Sequence, residues 1–290
     1  MTRRLLAFSD LHVRFAANRE LVAAVAPRPN DGLIVAGDVA ERADELAGAL
    51  ELLRPKFARL YWVPGNHELW TMPGEPERGE AKYQRMVDVC RSLGVLTPED
   101  PFDVWEGSGA PHTVMLTAGL YDYTFAPDEI AGDPERARAW ALETGLRCTD
   151  EELLHPDPHA DLAARCAAMC ERAEARIDAA RAKDDLPSVL VNHFPLLREH
   201  AVLPRIPRFS IWCGTRRTAS WIERAKARVV VFGHLHIPLT LMRNGVRYEE
   251  VSVGYPTQRL AERTADSFLR EILPGPAEAL PEGWRSRRAG

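Results

Sequence analysis

Residues 32–38 read Gly-Leu-Ile-Val-Ala-Gly-Asp, an apolar run that ends at a glycine and a carboxylate. The run has the length and composition of a buried strand, so Asp38 falls where that strand would end. Loops at the carboxyl ends of parallel strands can turn several side chains toward one point. Four other segments repeat the arrangement, namely Phe8-Ser-Asp10-Leu-His12, Val63-Pro-Gly65-Asn66-His67-Glu68, Val191-Asn-His193-Phe-Pro195 and Val231-Phe-Gly233-His234-Leu-His236. Together the five segments predict one pocket at the edge of a sheet.

Seven side chains in these segments are candidate metal ligands. They offer oxygen and nitrogen atoms, which suit Zn, Mn or Fe, and no thiolate is among them. The alternative for each is an ordinary capping role at a loop end. The candidates are Asp10, His12, Asp38, Asn66, His193, His234 and His236.

The ordered set of motifs resembles the metallophosphoesterase (calcineurin-like phosphoesterase) superfamily. The match is to its D-x-H, G-D, G-N-H-[DE], H and G-H-x-H blocks, spread from Asp10 to His236. The resemblance implies an α/β fold, a four-layer αββα sandwich of two mixed β-sheets flanked by helices. It also implies two transition-metal ions (Mn, Fe, Zn or Ni) that share Asp38 as a bridging ligand. By the same resemblance, Asp10, His12 and His236 complete one metal site, and Asn66, His193 and His234 complete the other.

The resemblance further implies the reaction, which is attack of a metal-bridging hydroxide on phosphorus. His67 follows a ligand without being one, and the resemblance assigns it to protonate the leaving alcohol or to hydrogen-bond the phosphate. A purely structural His67 is the alternative. Glu68 is expected to accept hydrogen bonds beside the ligands, or to form an ion pair, rather than to act on substrate.

The chain of 290 residues, 46% of them hydrophobic, is long enough for one large α/β domain. We predict a single domain over residues 1–275, with an inserted helical cap at about 122–185 and a surface or disordered tail at 276–290. The predicted strands lie at 5–8, 33–36, 60–63, 102–105, 113–119, 188–191, 229–232 and 251–253. The predicted helices lie at 18–25, 43–53, 81–93 and from 157 or 159 to 182.

Two stretches outside the ligand segments are candidates for substrate binding. The loop with Trp212, Arg216 and Arg217 lies between two ligand segments and offers an aromatic plane and two guanidiniums. Tyr121 and Tyr123 follow a predicted strand and carry phenols. In each case the alternative is a packing or capping role, or a solvated turn.

Charge and composition narrow the partners and the location. The net charge of −5 argues against a nucleic-acid partner, because such binding normally requires a basic face. The sequence shows no signal peptide or membrane-spanning run, and its odd number of cysteines favours reduced thiols in the cytoplasm, with no membrane partner. Cys166 and Cys170 are expected on a buried helical stripe rather than at a metal site. The remaining histidines, expected at the surface, are His112, His155, His159 and His200.

The favoured function is hydrolysis of a small-molecule phosphate monoester, because the acidic chain and the expected cap suit a small substrate. One alternative is a phosphodiesterase that acts on a small molecule or a cyclic nucleotide with the same metals. Another, from a different class, is a non-catalytic metal-binding interaction module. A nuclease is weaker, because no long basic stripe is evident. The sequence does not indicate the oligomeric state.

Overall fold

The computed structural model describes residues 3–259, 263–278 and 280–287, and places their strands in two sheets. The first sheet has the order β10-β1-β2-β3. Strands β1, β2 and β3 are parallel to one another, and β10 pairs antiparallel with β1, so the sheet is mixed. The bounds are β1 Leu5–Phe8, β2 Arg28–Val35, β3 Phe57–Trp62 and β10 Arg270–Leu273.

The second sheet has the order β11-β8-β9-β7-β6-β5-β4 and is also mixed. The neighbours β5, β6, β7 and β9 are parallel, whereas β4, β8 and β11 pair antiparallel with their neighbours. The bounds are β4 Asp103–Trp105, β5 His112–Leu116, β6 Ser188–Val191, β7 Ala227–Phe232, β8 Leu239–Arg243, β9 Val246–Glu250 and β11 Arg285–Arg287.

Helices connect the strands and cover the outer faces of both sheets. Asp133 and Asp161 cap α5 and α7, because each carboxylate accepts a backbone hydrogen bond in the first turn of its helix. The bounds are α1 Ala16–Ala24, α2 Ala43–Leu53, α3 Asn66–Leu69, α4 Gly79–Ser92, α5 Pro134–Leu142, α6 Asp150–Leu153, α7 Leu162–Arg181 and α8 Trp221–Arg224.

The four layers follow from the alternation of side chains along each strand. Leu5 and Ala7 belong to one cluster with Val189 and Val191 of the second sheet, which is the layer between the sheets. The intervening residues of β1 pack in the other cluster, with helix residues. Both faces of the central strands are therefore covered, which explains their continuous apolar runs. The predicted fold, a sandwich of two mixed sheets between helices, is confirmed.

Backbone hydrogen bonds join the two sheets where β1 ends. Ser9 forms an isolated bridge with Ser252, and the Ser9 amide donates to the carbonyl of Val251 at 3.0 Å. The amide of Gly254 donates to the carbonyl of Asp10 at 3.1 Å. These bonds bring the ends of β1 and β9 together, so that loops from both sheets can meet at one point.

The predicted elements mostly correspond to observed ones, and the main differences lie in the strands after residue 236, in the tail and in the cap. Residues 251–253 were expected to form a strand but follow β9, and β8, β9 and β10 were not predicted. Residues 285–287 of the expected tail form β11, while residues 279 and 288–290 lie outside the described part. In the expected cap at 122–185, α7 packs its buried residues into the core, whereas α6 reaches the pocket described below.

Among the residues that the structure describes, no helix has both the length and the apolar character needed to cross a bilayer. All five cysteines are buried and unpaired. Cys166 and Cys170 lie in the core on the inner face of α7, as expected for a buried stripe. His200 differs from its expected surface position, because its ring is buried against Tyr248 at 4.4 Å between centroids.

Candidate metal centre

The seven candidate ligands lie just beyond the carboxyl ends of five parallel strands. Asp10 and His12 follow β1, Asp38 follows β2 and Asn66 follows β3, all in the first sheet. His193 follows β6, and His234 and His236 follow β7, in the second sheet. The strands that carry the ligands are parallel within each sheet, so their carboxyl ends lie at one edge of that sheet. The two edges meet where the seven side chains converge.

The backbone at these ligands is held in an unfavourable conformation. For residues other than glycine a positive φ costs of order 1–3 kcal/mol, and such strain concentrates at functional sites. Five of the seven ligands have it, namely Asp10 (55°), His12 (40°), Asp38 (53°), His234 (70°) and His236 (54°). The surrounding bonds maintain this strain, so the positions of these side chains are fixed by the fold.

Two glycines allow the ligands to approach the backbone. A Cβ on Gly65 would lie 2.0 Å from Oδ1 of Asp38, and a Cβ on Gly233 would lie 2.4 Å from Oδ2 of Asp10. Both separations are far below van der Waals contact, so a larger residue at either position would displace a carboxylate. The glycines of the G-N-H and G-H-x-H motifs are therefore required by close packing.

The first cluster of donors is formed by Asp10, His12 and His236, whose ligand atoms lie within 4.8 Å of one another. Nε2 of His236 lies 3.1 Å from Oδ1 of Asp10 and 3.1 Å from Nε2 of His12. Nδ1 of His236 faces Oε1 of Gln258 at 2.7 Å, and this oxygen accepts. Nε2 of His236 therefore carries its lone pair toward the cluster, as a metal ligand requires.

The second cluster contains Asp38, His193 and His234, again within 4.8 Å. His193 donates from Nδ1 to the carbonyl of Ala36 at 2.8 Å, which leaves its Nε2 free to bind metal, 3.3 Å from Oδ2 of Asp38. Oδ1 of Asn66 lies 3.2 Å from Nδ1 of His234. In the described part of the chain, Nε2 of His193 and of His234 are buried without a hydrogen-bond partner. Such orphaned imidazole nitrogens fit a metal site.

The protonation states of two histidines also suit metal binding. Burial lowers the pKa of His12 and of His234 to about 3, so both imidazoles are neutral and can donate a lone pair. Burial alone would raise the pKa of Asp10 and Asp38, but the hydrogen bonds and charges of His236 and His193 lower it, and both carboxyls are ionised. Asp10 and Asp38 therefore offer two carboxylates, and His12 and His234 offer two neutral imidazoles, a combination that fits divalent transition metals.

A third group, made of His12, Glu41 and His67, places His67 beside the ligands. Nδ1 of His67 lies 3.1 Å from Oε1 of Glu41, which also lies 3.6 Å from a guanidinium nitrogen of Arg14. The His67 ring packs on Trp70 with 3.7 Å between centroids. Burial opposes its protonation, but the charges of Asp38 and Glu41 raise the pKa of His67. With Nδ1 on Glu41, Nε2 faces the cluster and can donate to a bound group.

Glu68 accepts hydrogen bonds from backbone amides and does not point into the clusters. Its Oε2 accepts from Asp38 N at 2.9 Å and from Gly65 N at 2.7 Å, and its Oε1 accepts from Val39 N at 2.6 Å. It thereby fastens the Asp38 loop to the Asn66 loop. This geometry corresponds to the acceptor role expected from the sequence.

The clusters open into a pocket of about 300 Å³. Several of its residues were not predicted from the sequence, and Asp150 of α6 is the most buried of these. Its Oδ1 accepts from Asn66 Nδ2 at 2.9 Å and from Trp70 Nε1 at 2.7 Å. Glu41, which contacts His67 and does not line the pocket, was also not predicted, although it lies only three residues after Asp38. Trp70 follows the G-N-H-[DE] motif by two residues. Other unpredicted lining residues lie farther from the motifs in sequence and include Arg147, Phe209, Tyr255 and Gln258.

The structure does not bring the five predicted substrate-binding residues to this pocket. Trp212 and Tyr121 are buried, and Tyr123 is buried beneath the guanidinium of Arg138. Arg216 and Arg217 turn toward the 122–128 loop, where they contact Asp128 at 2.5 Å and Asp122 at 3.5 Å. Because a nearby carboxylate holds each guanidinium, neither is directed at a bound phosphate.

Comparisons with known proteins agree with this geometry. A sequence profile of the calcineurin-like phosphoesterases matches residues 3–238. The chain is 46% identical over 278 residues to the [acyl-carrier-protein] phosphodiesterase PptH of Mycobacterium tuberculosis, covering 95% of this chain and 85% of that protein. It is also similar to the crystal structure of phosphopantetheinyl hydrolase (PptH) from Mycobacterium tuberculosis. The TM-score is 0.88 at 44% identity, and the match covers 97% of this chain and 99% of that one.

Proposed function

This chain belongs to the calcineurin-like phosphoesterase family, a family of phosphate-ester hydrolases, and we propose that it is a phosphodiesterase that releases the phosphopantetheine arm from a carrier protein. The observation that carries the proposal is the 46% identity to an acyl-carrier-protein phosphodiesterase over 95% of this chain. The sequence alone favoured a phosphate monoester as substrate, with a phosphodiester as the alternative. The proposal adopts the phosphodiester.

The donor set supports a reaction that depends on two metals. We assign Asp38 as the shared ligand, with Asp10, His12 and His236 on one metal and Asn66, His193 and His234 on the other. Bound there, the metals would polarise the phosphate and lower the pKa of a water molecule. The chain itself provides a rigid frame, because strained backbone and the Glu68 contacts fix the loops that carry the ligands.

His67 is placed to serve the leaving alcohol. Nδ1 faces Glu41 at 3.1 Å, and Trp70 packs against the ring, so the imidazole has one orientation. Its Nε2 lies 3.8 Å from Oδ2 of Asp38, at the edge of the proposed metal site. From this position His67 can donate a proton or a hydrogen bond to the oxygen that leaves phosphorus. An alkoxide leaving group, as in a phosphopantetheine ester, needs such help more than an aryl oxide does.

The surface beside the pocket supports a substrate attached to a protein. Ile206 lines the pocket and is exposed, and Val202, four residues earlier in the chain, is also exposed. Phe15 is also exposed, and its ring contacts pocket residue Tyr255 with 5.6 Å between centroids. Exposed apolar side chains around a polar pocket are typical of a protein-binding rim. We therefore include a carrier protein, rather than a free small molecule, in the proposed substrate.

The test is to incubate the enzyme with a phosphopantetheine-bearing carrier protein and Mn, Fe, Zn or Ni. Intact-protein mass spectrometry should show the carrier losing its arm, and phosphopantetheine should appear in solution. His193→Ala should abolish the release, whereas His159→Ala, at a histidine outside the pocket, should not. A carrier that keeps its arm, with an aryl monoester cleaved faster than the matching bis-aryl diester, would overturn the proposal in favour of a monoesterase.

A further inference from the structure

A second cleft of about 390 Å³ adjoins the metal pocket. Arg147 and Cys148 line both, so the two spaces are neighbours on either side of the segment that leads into α6. The combined space is in the range of sites that bind drug-sized molecules, whereas a phosphate alone would fill little of it. A substrate that reacts at the metals and passes the Arg147–Cys148 segment would enter this side cleft.

One wall of the side cleft is a single face of α5. Glu135, Arg138, Ala139 and Leu142 follow the spacing i, i+3, i+4 and i+7, which places them on one side of a helix. Leu142 is 52% exposed, and it is one of the large apolar residues that the fold leaves in contact with water. An apolar side chain at this position is favourable once a ligand covers it.

The floor and the far wall of the side cleft are fixed by polar contacts. Trp212 forms part of the lining, and its Nε1 donates to Oε1 of Glu151 at 2.6 Å. Arg138 lies 3.4 Å from Oε2 of Glu151 and 5.5 Å above the ring of Tyr123. These contacts hold an aromatic plane, a carboxylate and a guanidinium in defined positions. Trp212 thus belongs to a cleft, although not to the pocket at the metals.

The charges of the side cleft indicate which ligands it accepts. It is lined by three carboxylates, of Glu135, Glu151 and Glu152, and by two guanidiniums, of Arg138 and Arg147. This balance disfavours a second phosphate or a nucleotide diphosphate, which normally requires an excess of positive charge. Donors and acceptors beside apolar surface instead suit a flexible chain with amide groups and methylenes.

We propose that the side cleft between α5 and α6 is a subsite for the amide-bearing arm on one side of the scissile phosphodiester, with a pantetheine chain as its ligand. This inference rests on the proposed function and adds to it the place where the arm is recognised. Ala139 and Leu142 would pack against the methylenes. Arg138 and Glu152 would be within reach of the amide carbonyls and N–H groups.

The test measures how strongly an added ligand inhibits the hydrolysis of a small substrate that does not need the subsite. Wild-type enzyme hydrolyses bis(p-nitrophenyl) phosphate in the presence of phosphopantetheine or of inorganic phosphate. Ala139→Trp fills the side cleft from an exposed helix position, and Arg136→Trp adds the same bulk to an exposed residue of α5 outside the lining. We expect Ala139→Trp to weaken inhibition by phosphopantetheine about tenfold. Inhibition by inorganic phosphate, which does not reach the side cleft, should weaken much less, and Arg136→Trp should behave as wild type in turnover and in both inhibition assays.

Equal inhibition of wild type and Ala139→Trp by phosphopantetheine would overturn the subsite, as would phosphopantetheine binding no better than phosphate to wild type. Leu142→Glu provides a second variant in case Ala139→Trp does not fold, because Leu142 is already exposed, and the same weakening is expected. The competition assay does not require cleavage of a carrier protein. A carrier that keeps its arm, together with arm-dependent inhibition, would therefore reject the proposed function and leave the subsite standing.

Discussion

Asp150 accepts a hydrogen bond from the side-chain amide of Asn66 at 2.9 Å, although the two residues are 84 positions apart in sequence. The same oxygen of Asp150 accepts from Trp70 Nε1 at 2.7 Å, and both residues are buried. The bond fixes the amide so that its NH₂ group faces Asp150 and its Oδ1 faces His234. A residue of the segment between β5 and β6 thereby orients a proposed metal ligand that follows β3.

We predict that Asp150→Ala weakens metal binding on the Asn66 side. Without its acceptor the amide can rotate and present NH₂ instead of oxygen, and loss of a partner that orients a ligand typically costs 10–100-fold in metal affinity or activity. Metal content after dialysis and calorimetric titration with Mn or Zn would measure the change. Glu152→Ala, an exposed acidic residue on the same helix, is the matched control. Unchanged affinity in Asp150→Ala would show that the bond does not position the ligand.

We predict that His67→Gln keeps its metals but loses turnover in a manner that depends on the leaving group. General-acid help is typically worth 10²–10⁴-fold when the leaving group is poor, and little when it is an aryl oxide. Turnover of an alkyl diester should therefore fall much further than that of bis(p-nitrophenyl) phosphate. Metal analysis should show the same content as in wild type.

Glu41→Gln should show a smaller version of the same pattern, because it removes the charged acceptor that orients His67 at 3.1 Å. Glu51→Gln, an exposed glutamate on α2, is the control for the loss of one charge. Equal losses with both leaving groups would contradict the proton-donor role of His67.

The ligands could be predicted from the sequence because each follows an apolar run, and a parallel sheet brings such positions to one edge. Strand β9 could not be predicted in the same way. Its buried residues include Arg247, Glu249 and Glu250, and charged residues of this kind normally indicate an exposed segment. Glu249 lies 3.5 Å from the guanidinium of Arg247 in the same strand, and its shorter ion pair, at 2.8 Å, is with Arg270 of the other sheet. A pattern within one strand does not contain that information.

The substrate-binding residues could be predicted only in part, because their positions also depend on partners that are distant in sequence. Trp212 was expected near the substrate, and its ring does line a cleft, but Glu151 on α6 determines its position. Arg216 and Arg217 carry the charge that a phosphate needs. They contact Asp128 and Asp122 instead, and these carboxylates come from a loop that is about 90 residues earlier in the chain. Local composition shows which groups are available, and tertiary contacts decide where they point.

We predict opposite effects from the same substitution at two glycines. Gly65→Ala places a methyl group 2.0 Å from Oδ1 of Asp38, so it should reduce metal binding and turnover strongly. Gly48→Ala lies within α2, where a Cβ meets nothing within 4 Å, and it should stabilise the protein by about 0.5–1 kcal/mol through helix propensity. Metal analysis and urea unfolding measure the two effects. Normal metal content in Gly65→Ala would mean that the Asp38 loop can move aside.

We predict that His200 makes the fold less stable in acid. Burial lowers the pKa of His200 to about 4; Glu199 opposes this shift, and Arg243 and Arg285 add to it. The ordinary pKa of histidine is about 6.5, so between pH 6.5 and 4 the unfolded chain binds a proton that the folded chain does not. The free energy of unfolding therefore falls as the pH falls through that window. At pH 5 the loss from this one residue is about 2 kcal/mol.

His200→Phe should remove most of this loss, because a phenyl ring can keep the contacts with Tyr248 and Phe232 and does not titrate. Urea unfolding at pH 7.5 and pH 5 would measure it as a smaller decrease in the variant than in wild type. Acid also weakens metal binding, but that effect is common to both proteins and cancels in the difference. His159→Phe should retain the full decrease, since His159 is only half-buried and lies outside the His200 site. An equal decrease in His200→Phe and wild type would show that His200 is protonated in the folded protein at pH 5.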